Sequence, residues 1–490
     1  MILAVFSLVM AVSLGIALWS RRGHDHPDAR SFFVASGQFG AMLFFFLSVG
    51  ETYSIATMLG FPGGVYARGE SFVLWFFGYI LLAAPCIYFV GPWIWRAGAL
   101  YGSATIPDFF RDHFASRPLE ILIAATSILL LLPIGTMQFL GLKLVFAGLV
   151  PGPVAMVLTG LAALLTFAYV AIAGLRASAF VAVFKDLLMI GSILLVGGIA
   201  VAQSHGGGIA PWLPAAAPKP MVAAGSRTHD LMFAFSTIFV QAIGFTMIPQ
   251  NWAFIFSARS PRTIQRAQIA APLYMVMFPL LMVAAYYAKG HGITPATPDF
   301  VFLATAIALL PAWVVGIVMA AVALAGLVIL SSVCLAIGPL ITRNLVAGLP
   351  GAAQQRWSKV AIAGFIGLSV LGAQSASPVI ATLNNLFYFG IVQTLPGFVA
   401  ALLIARVPAR AVIAGIVAGD ALALAIKLAA FDPAGLNPGL LGLVLNLVVL
   451  ALVTVAVPRR DGIAVLARLR GQQGRAMAVA AGGSVAGPRQ

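Results

Sequence analysis

The chain has 490 residues, 61% of them hydrophobic and only 8% charged, with a mean hydropathy of +1.04. This composition is far from that of soluble domains and describes a polytopic membrane protein whose first partner is the lipid bilayer. The net charge of +15 does not mark a nucleic-acid binder, because most basic residues lie in short connections between apolar runs and not on one folded face.

Length and apolarity predict thirteen transmembrane helices. The first, residues 2–20, has no basic residue ahead of it and is followed by Arg21 and Arg22, so it reads as an uncleaved anchor with its N-terminus outside. The others are expected near 38–63, 71–95, 119–149, 153–174, 178–202, 230–257, 268–288, 307–341, 358–374, 378–405, 409–429 and 437–457. On this topology 21 basic residues fall in cytoplasmic loops and the tail, against Arg68, Lys219, Arg227 and Lys289 opposite. That asymmetry predicts a bacterial-type inner-membrane protein with the C-terminus inside. The tail, residues 458–490, is rich in Arg, Gly and Ala and is expected to be disordered against the anionic inner leaflet.

Two of these runs are interrupted. In the first, Gly50-Glu51-Thr52-Tyr53-Ser54 places a glycine, a carboxylate and three hydroxyls where hydrocarbon should be the only neighbour. A carboxylate at mid-bilayer depth costs about 3 kcal/mol on insertion scales, so Glu51 is expected to face protein or a water-filled cavity. Five spans later, Gln241-Ala-Ile-Gly-Phe-Thr-Met-Ile-Pro-Gln250 carries Gly244 and Pro249, both able to break a helix. Paired broken helices at corresponding places in two halves point to an inverted-repeat transporter with its site at the midplane. The chain then divides into an N-terminal anchor and loop (1–30), a first five-helix repeat (31–205), a second (206–405), two extra helices (406–457) and the tail (458–490). Cys86 and Cys334 fall inside apolar runs and read as small core residues. All six histidines lie in loops or at span ends, which excludes a histidine relay in mid-membrane.

In this setting the residues resemble the sodium:solute symporter family, whose members share the LeuT-type fold. Leu59-Gly-Phe-Pro-Gly-Gly-Val-Tyr66 resembles the exit from the family's first core helix, and Thr105-Ile-Pro-Asp108 its cytoplasmic loop. Gly174-Leu-Arg176-Ala resembles the turn into core helix 5, Ser257-Ala-Arg259-Ser the segment after helix 6, and Thr342-Arg343-Asn344 the end of helix 8. Within the family the chain is most similar to the bacterial monocarboxylate permeases, through Glu51 with Tyr53, Lys185-Asp186, Pro272-Leu-Tyr274 and Gln393-Thr-Leu-Pro396. It has Pro249-Gln250 where that branch has a Pro-His pair.

The resemblance implies an all-α fold of five plus five helices, with one N-terminal and two C-terminal additions, and a symporter, not an enzyme. It implies no organic cofactor and a coupling ion, H+ or Na+. The shared sodium site maps to the backbone of Gly50, Tyr53 and Ala325, but Val328 and Ile329 stand where its hydroxyl ligands belong. Ser331 and Ser332 lie about a turn further on. Lys185, nine residues past Arg176 and so about 13 Å into the membrane, is expected to supply a cation there in partnership with Glu51 or Asp186. Adjacent helical residues point about 100° apart, so Lys185 and Asp186 are not expected to face each other directly. For the small-molecule solute the resemblance points to Thr52, Ser54, Thr57, Gln138, Gln241, Phe245 and Gln250, and amphipathic chemistry adds Asn384, Asn385 and Tyr388. Phe245, Trp252 and Tyr388 are candidate gates. The favoured reading is a proton-coupled importer of a monocarboxylate. The alternatives are a sodium-driven carrier of proline, pantothenate or a sugar, and a transporter-like membrane sensor.

Overall fold

The computed structural model describes residues 1–20, 40–150, 152, 154–203, 227–346, 348–375, 380–457 and 463–470. These residues build helices and no β-strand element, as a hydrocarbon solvent demands of a chain that must satisfy its own N–H and C=O groups. In chain order they are α1 (Ile2–Ser20), α2 (Ala41–Thr52), α3 (Phe61–Arg68), α4 (Glu70–Tyr101), α5 (Ile106–Phe114) and α6 (Arg117–Leu149). Then follow α7 (Val154–Gln203), α8 (Arg227–Gly244), α9 (Pro249–Ser257), α10 (Pro261–Met275), α11 (Met277–Gly290) and α12 (Val301–Leu309). The last six are α13 (Ala312–Pro339), α14 (Gly351–Ser375), α15 (Ile380–Ile391), α16 (Leu395–Leu403), α17 (Ala409–Leu428) and α18 (Pro438–Ala456).

Eleven helical segments among the described residues are long and apolar enough to cross a membrane, each matching an expected span. The other two of the thirteen take different forms. The run expected over 38–63 is divided into α2 and α3, and the run expected over 153–174 is the first part of α7, which continues to Gln203. The turn expected at Gly174-Leu-Arg176 is therefore a stretch of helix. No proline lies between Val154 and Gln203, and an isolated glycine costs a helix only about 1 kcal/mol.

The centre of the molecule is α13, whose most apolar stretch is 94% buried. It packs against α1, α6, α7 and α14. A Cβ on Gly316 would lie 2.7 Å from the carbonyl oxygen of Ile2, so α1 is docked closely against the bundle. In the tail expected to be disordered, residues 465–470 form a short helix. Val465 is fully buried and Arg468 lies 5.7 Å over the ring of Tyr101, an apolar seat and a cation–π contact that anchor this stretch. The remaining tail residues, 458–462 and 471–490, and the segments 21–39 and 204–226 lie outside the described residues.

Both expected interruptions are breaks. The first helix leaves α geometry at Tyr53 and Ser54 and re-enters α3 through a wide turn over Ala56–Gly60. Ser54 manages the loose backbone: its Oγ accepts the Ala56 N–H at 3.1 Å, and its carbonyl accepts those of Thr57 and Met58. The Thr57 hydroxyl donates back to the Thr52 carbonyl at 2.5 Å. The second break runs from Phe245 through Ile248, which is extended, to Pro249 at the start of α9. Asn251 Nδ2 donates to the Phe245 carbonyl at 2.8 Å and Trp252 Nε1 to that of Thr246 at 2.9 Å. In each case side chains at the break take up backbone groups that an intact helix would have paired.

Candidate functional site

The two breaks open onto one cavity between α4, α6, α13 and α15. The volume open to the centre of a water molecule is about 40 Å³, where about 10–15 Å³ holds one water. Thr52, Ser54, Gln138, Phe245, Gln250, Asn384 and Tyr388, seven of the ten residues expected to face a solute, line it together. The other three do not. Thr57 spends its hydroxyl on Thr52, while Gln241 Nε2 donates to Asn385 Oδ1, clasping α8 to α15. Trp252 is not in the lining either: it is wholly buried, packed against Phe109, Phe256 and Phe398.

Tyr79, Ile80, Ile134, Met137, Ile248, Ile329 and Phe387 complete the wall with Ala56, and sequence reasoning missed them. Only Tyr79 carried a readable signal, a phenol in the middle of an apolar span; its ring centroid lies 5.6 Å from that of Tyr388. The aliphatic residues look like any other core position. Among the described residues no charged side chain lines the cavity. Both polar atoms of the Gln138 amide and Nδ2 of Asn384 are buried with no hydrogen-bond partner among the described residues. A buried donor or acceptor left unpaired costs about 1–3 kcal/mol, so these amides favour a solute with complementary polar groups.

Beside the cavity the fully buried Lys185 reaches from α7 to the end of α2. Its Nζ donates to the carbonyls of Gly50 at 3.4 Å and Tyr53 at 3.2 Å. It also makes a contact ion pair with Asp186 Oδ1 at 2.6 Å, and both side chains are fully buried. The expectation that Lys185 and Asp186 do not face each other is thus corrected. The Cβ directions diverge, but the four-carbon lysine stem is long and flexible enough to fold its ammonium back over the next residue. The side chain of Glu51 lies outside the described residues.

The two carbonyls expected at a sodium site therefore face an ammonium. From α13, Ala325, Val328 and Ile329 are buried and contribute no side-chain oxygen. Ser331 and Ser332 donate to the carbonyls of Leu327 at 2.8 Å and Val328 at 3.2 Å, spending their hydrogens within their own helix. Among the described residues no group of three His, Cys, Asp or Glu side chains is placed to hold a metal ion.

Comparison with known proteins agrees with this architecture. The chain is 26% identical over 472 residues to an uncharacterised symporter, YhjB, of Bacillus subtilis, covering 91% of this chain and 95% of the relative. It is 27% identical over 316 residues to a monocarboxylate transport permease protein of Rhizobium johnstonii, covering 62% of each. Among solved structures, a Na+-coupled sialic acid symporter in a substrate-bound outward-open state superposes with a TM-score of 0.72, at 16% identity over 94% of this chain and 99% of that one. MhsT in complex with L-phenylalanine superposes with a TM-score of 0.54, at 12% identity over 86% and 99%. These likenesses give a LeuT-type fold. Residues 32–429 match the sodium:solute symporter family, and the chain belongs to that family: it is a multi-pass membrane symporter, not an enzyme.

Proposed function

We propose that this symporter imports a small monocarboxylate, such as lactate, pyruvate or acetate, together with a proton, by alternating access around the cavity between the two broken helices. The observation that carries the coupling is the Lys185 ammonium on the Gly50 and Tyr53 carbonyls, at 3.4 and 3.2 Å. A sodium ion at those carbonyls would meet a like charge at contact distance and find no hydroxyl from Val328 or Ile329. The protonated lysine does the work that a bound cation would do, holding the end of α2 against α7. Loss of its proton to Asp186 or to solvent weakens both hydrogen bonds and frees the break to move.

The substrate half rests on the monocarboxylate permease among the relatives and on the unpaired Gln138 and Asn384 amides of the cavity wall, which suit a small polar solute. Gln138, Asn384 and the hydroxyls of Thr52 and Ser54 orient the solute, while the N-terminal end of α9 and Lys185 oppose its negative charge. The excess of basic residues in one set of loops supports a topology with the N-terminus outside and the C-terminus inside a bacterial inner membrane, which would put α5 on the cytoplasmic face. A sodium-driven carrier of another solute is the second reading, favoured by the sodium coupling of the sialic acid symporter that this chain resembles in fold.

Uptake of labelled lactate into proteoliposomes separates the two. An inward proton gradient at fixed sodium is expected to drive accumulation, and a sodium gradient at fixed pH is not. Lys185→Met is expected to abolish accumulation. Sodium-driven uptake with no response to a proton gradient, or full accumulation by Lys185→Met, overturns the reading.

A further inference from the structure

At the end of the bundle opposite α12, a cleft open to water centres over about 360 Å³ lies among the starts of α6 and α14 and the turn that closes α13. Its wall holds Arg111, Arg117, Arg343, Thr342, Gln354 and the Gly348-Leu349 backbone, with Glu120 at its base. The arginines are about one-third exposed, whereas Asp108 and Glu120 are fully buried, so the positive ends face the cleft and the carboxylates lie beneath them.

The carboxylates hold the guanidinium groups in place. Glu120 takes Arg111 at 3.0 Å, Arg117 at 2.6 Å and the Asn344 amide at 2.9 Å. Asp108 takes Arg343 Nε at 2.8 Å, the Asn344 amide at 2.8 Å and the Ala104 N–H at 3.0 Å. Arg111 is further occupied by Asp112, and Arg117 by the Leu345 carbonyl. Arg343 is different. Only its Nε is bonded, so its two terminal nitrogens have no partner among the described residues. The Gln354 side chain, on the first turn of α14, has none there either. A fixed guanidinium fork, a neighbouring arginine and the positive end of a 25-residue helix thus converge on one open space.

We propose that this cleft binds a phosphate group. Arg343 supplies a bidentate fork, Arg117 a second charge and Gln354 an amide donor, an arrangement that suits a tetrahedral oxyanion better than a planar carboxylate held by one face. Two sources present that chemistry, an anionic lipid headgroup and a soluble phosphate ester. The exposed Arg356, Trp357 and Lys359 on the next turns of α14 set the cleft at the height where headgroups lie.

The test uses the full chain in uncharged detergent. It is titrated with inorganic phosphate against chloride at equal ionic strength while thermal unfolding is followed, and retention of phosphatidylglycerol is compared with that of phosphatidylcholine by native mass spectrometry. Saturable stabilisation by phosphate, retention of phosphatidylglycerol, or both is expected, and identifies the source. Arg343→Gln is expected to weaken binding about tenfold. Gln354→Ala, which leaves every bond to Asp108 and Glu120 intact, is expected to weaken it about threefold, and decides the matter alone should Arg343→Gln not fold. No saturable response to either probe, a response that chloride reproduces, or one that Gln354→Ala leaves unchanged overturns the proposal.

Discussion

Ile55 sits where the first helix breaks, and two glycines make room for it. A Cβ on Gly326 of α13 would lie 2.4 Å from its Cδ1, and one on Gly141 of α6 would lie 2.2 Å from its Cγ2. Gly326→Ala and Gly141→Ala should each destabilise the protein by about 1–3 kcal/mol through overpacking. The two differ in their cure. Ile55→Val removes Cδ1 and keeps Cγ2, so it should rescue Gly326→Ala and leave Gly141→Ala unrescued; thermal unfolding in detergent measures both pairs. Lys185 gives a second contrast at this scale. Lys185→Met strands the buried Asp186 carboxylate, a loss of about 3–5 kcal/mol when one partner of a buried pair is removed. Lys185→Met with Asp186→Asn removes both charges and should unfold at a higher temperature than Lys185→Met alone; equal or lower stability of the double variant would show that the pair is not the source of the loss.

A second buried carboxylate works between elements. Asp299 lies on the short helix that leads into α12, outside the spans, and accepts the Ile380 N–H at the start of α15 at 3.3 Å. It also presses on α3, where a Cβ on Gly63 would come within 2.7 Å of the Asp299 Cα. Burial pushes its carboxyl up to about 6, against the Ile380 N–H and the more distant charge of Arg68, which lower it. An acid whose folded pKa is raised binds its proton more tightly when folded. Its contribution is most favourable below the unfolded value of about 3.9 and is lost as pH rises through about 6. Asp299→Asn keeps an oxygen for Ile380 and carries no charge to desolvate. It should be more stable than the parent at pH 7 and no more stable at pH 3.5, read as thermal unfolding against pH.

The element scale also shows what could be read from the chain. The breaks were legible because Gly50, Gly244 and Pro249 and a run of hydroxyls interrupt apolar helices, and few other causes put them there. The polar half of the cavity followed from the same residues. Its apolar half did not, because Ile80, Met137 and Ile329 differ from core residues only in what lies opposite them. The turn expected at Gly174 was read from resemblance to a motif, and nothing in the local residues forces the helix to stop there. The ion pair does not follow from the direction of the Cβ, because the lysine nitrogen lies four rotatable bonds beyond it.

For the whole molecule, the proposed proton coupling fixes the charge moved in one cycle. Among the described residues no charged side chain lines the cavity, and the Lys185–Asp186 pair stays with the protein. On the proposed reading, a monocarboxylate entering with one proton crosses as a neutral unit. A membrane potential should not drive it, and a pH gradient should. In proteoliposomes clamped with potassium and valinomycin, an inside-negative potential is expected to leave the initial rate of lactate uptake within about 1.5-fold of that at zero potential, since moving one net charge through 100 mV is worth about 2.3 kcal/mol and would change accumulation far more. A nigericin control with equal potassium on both sides, which collapses the pH difference, should remove accumulation altogether. Uptake that follows the potential with the pH gradient collapsed would mean that net positive charge accompanies the solute, which one lysine cycling between protonated and neutral forms does not supply.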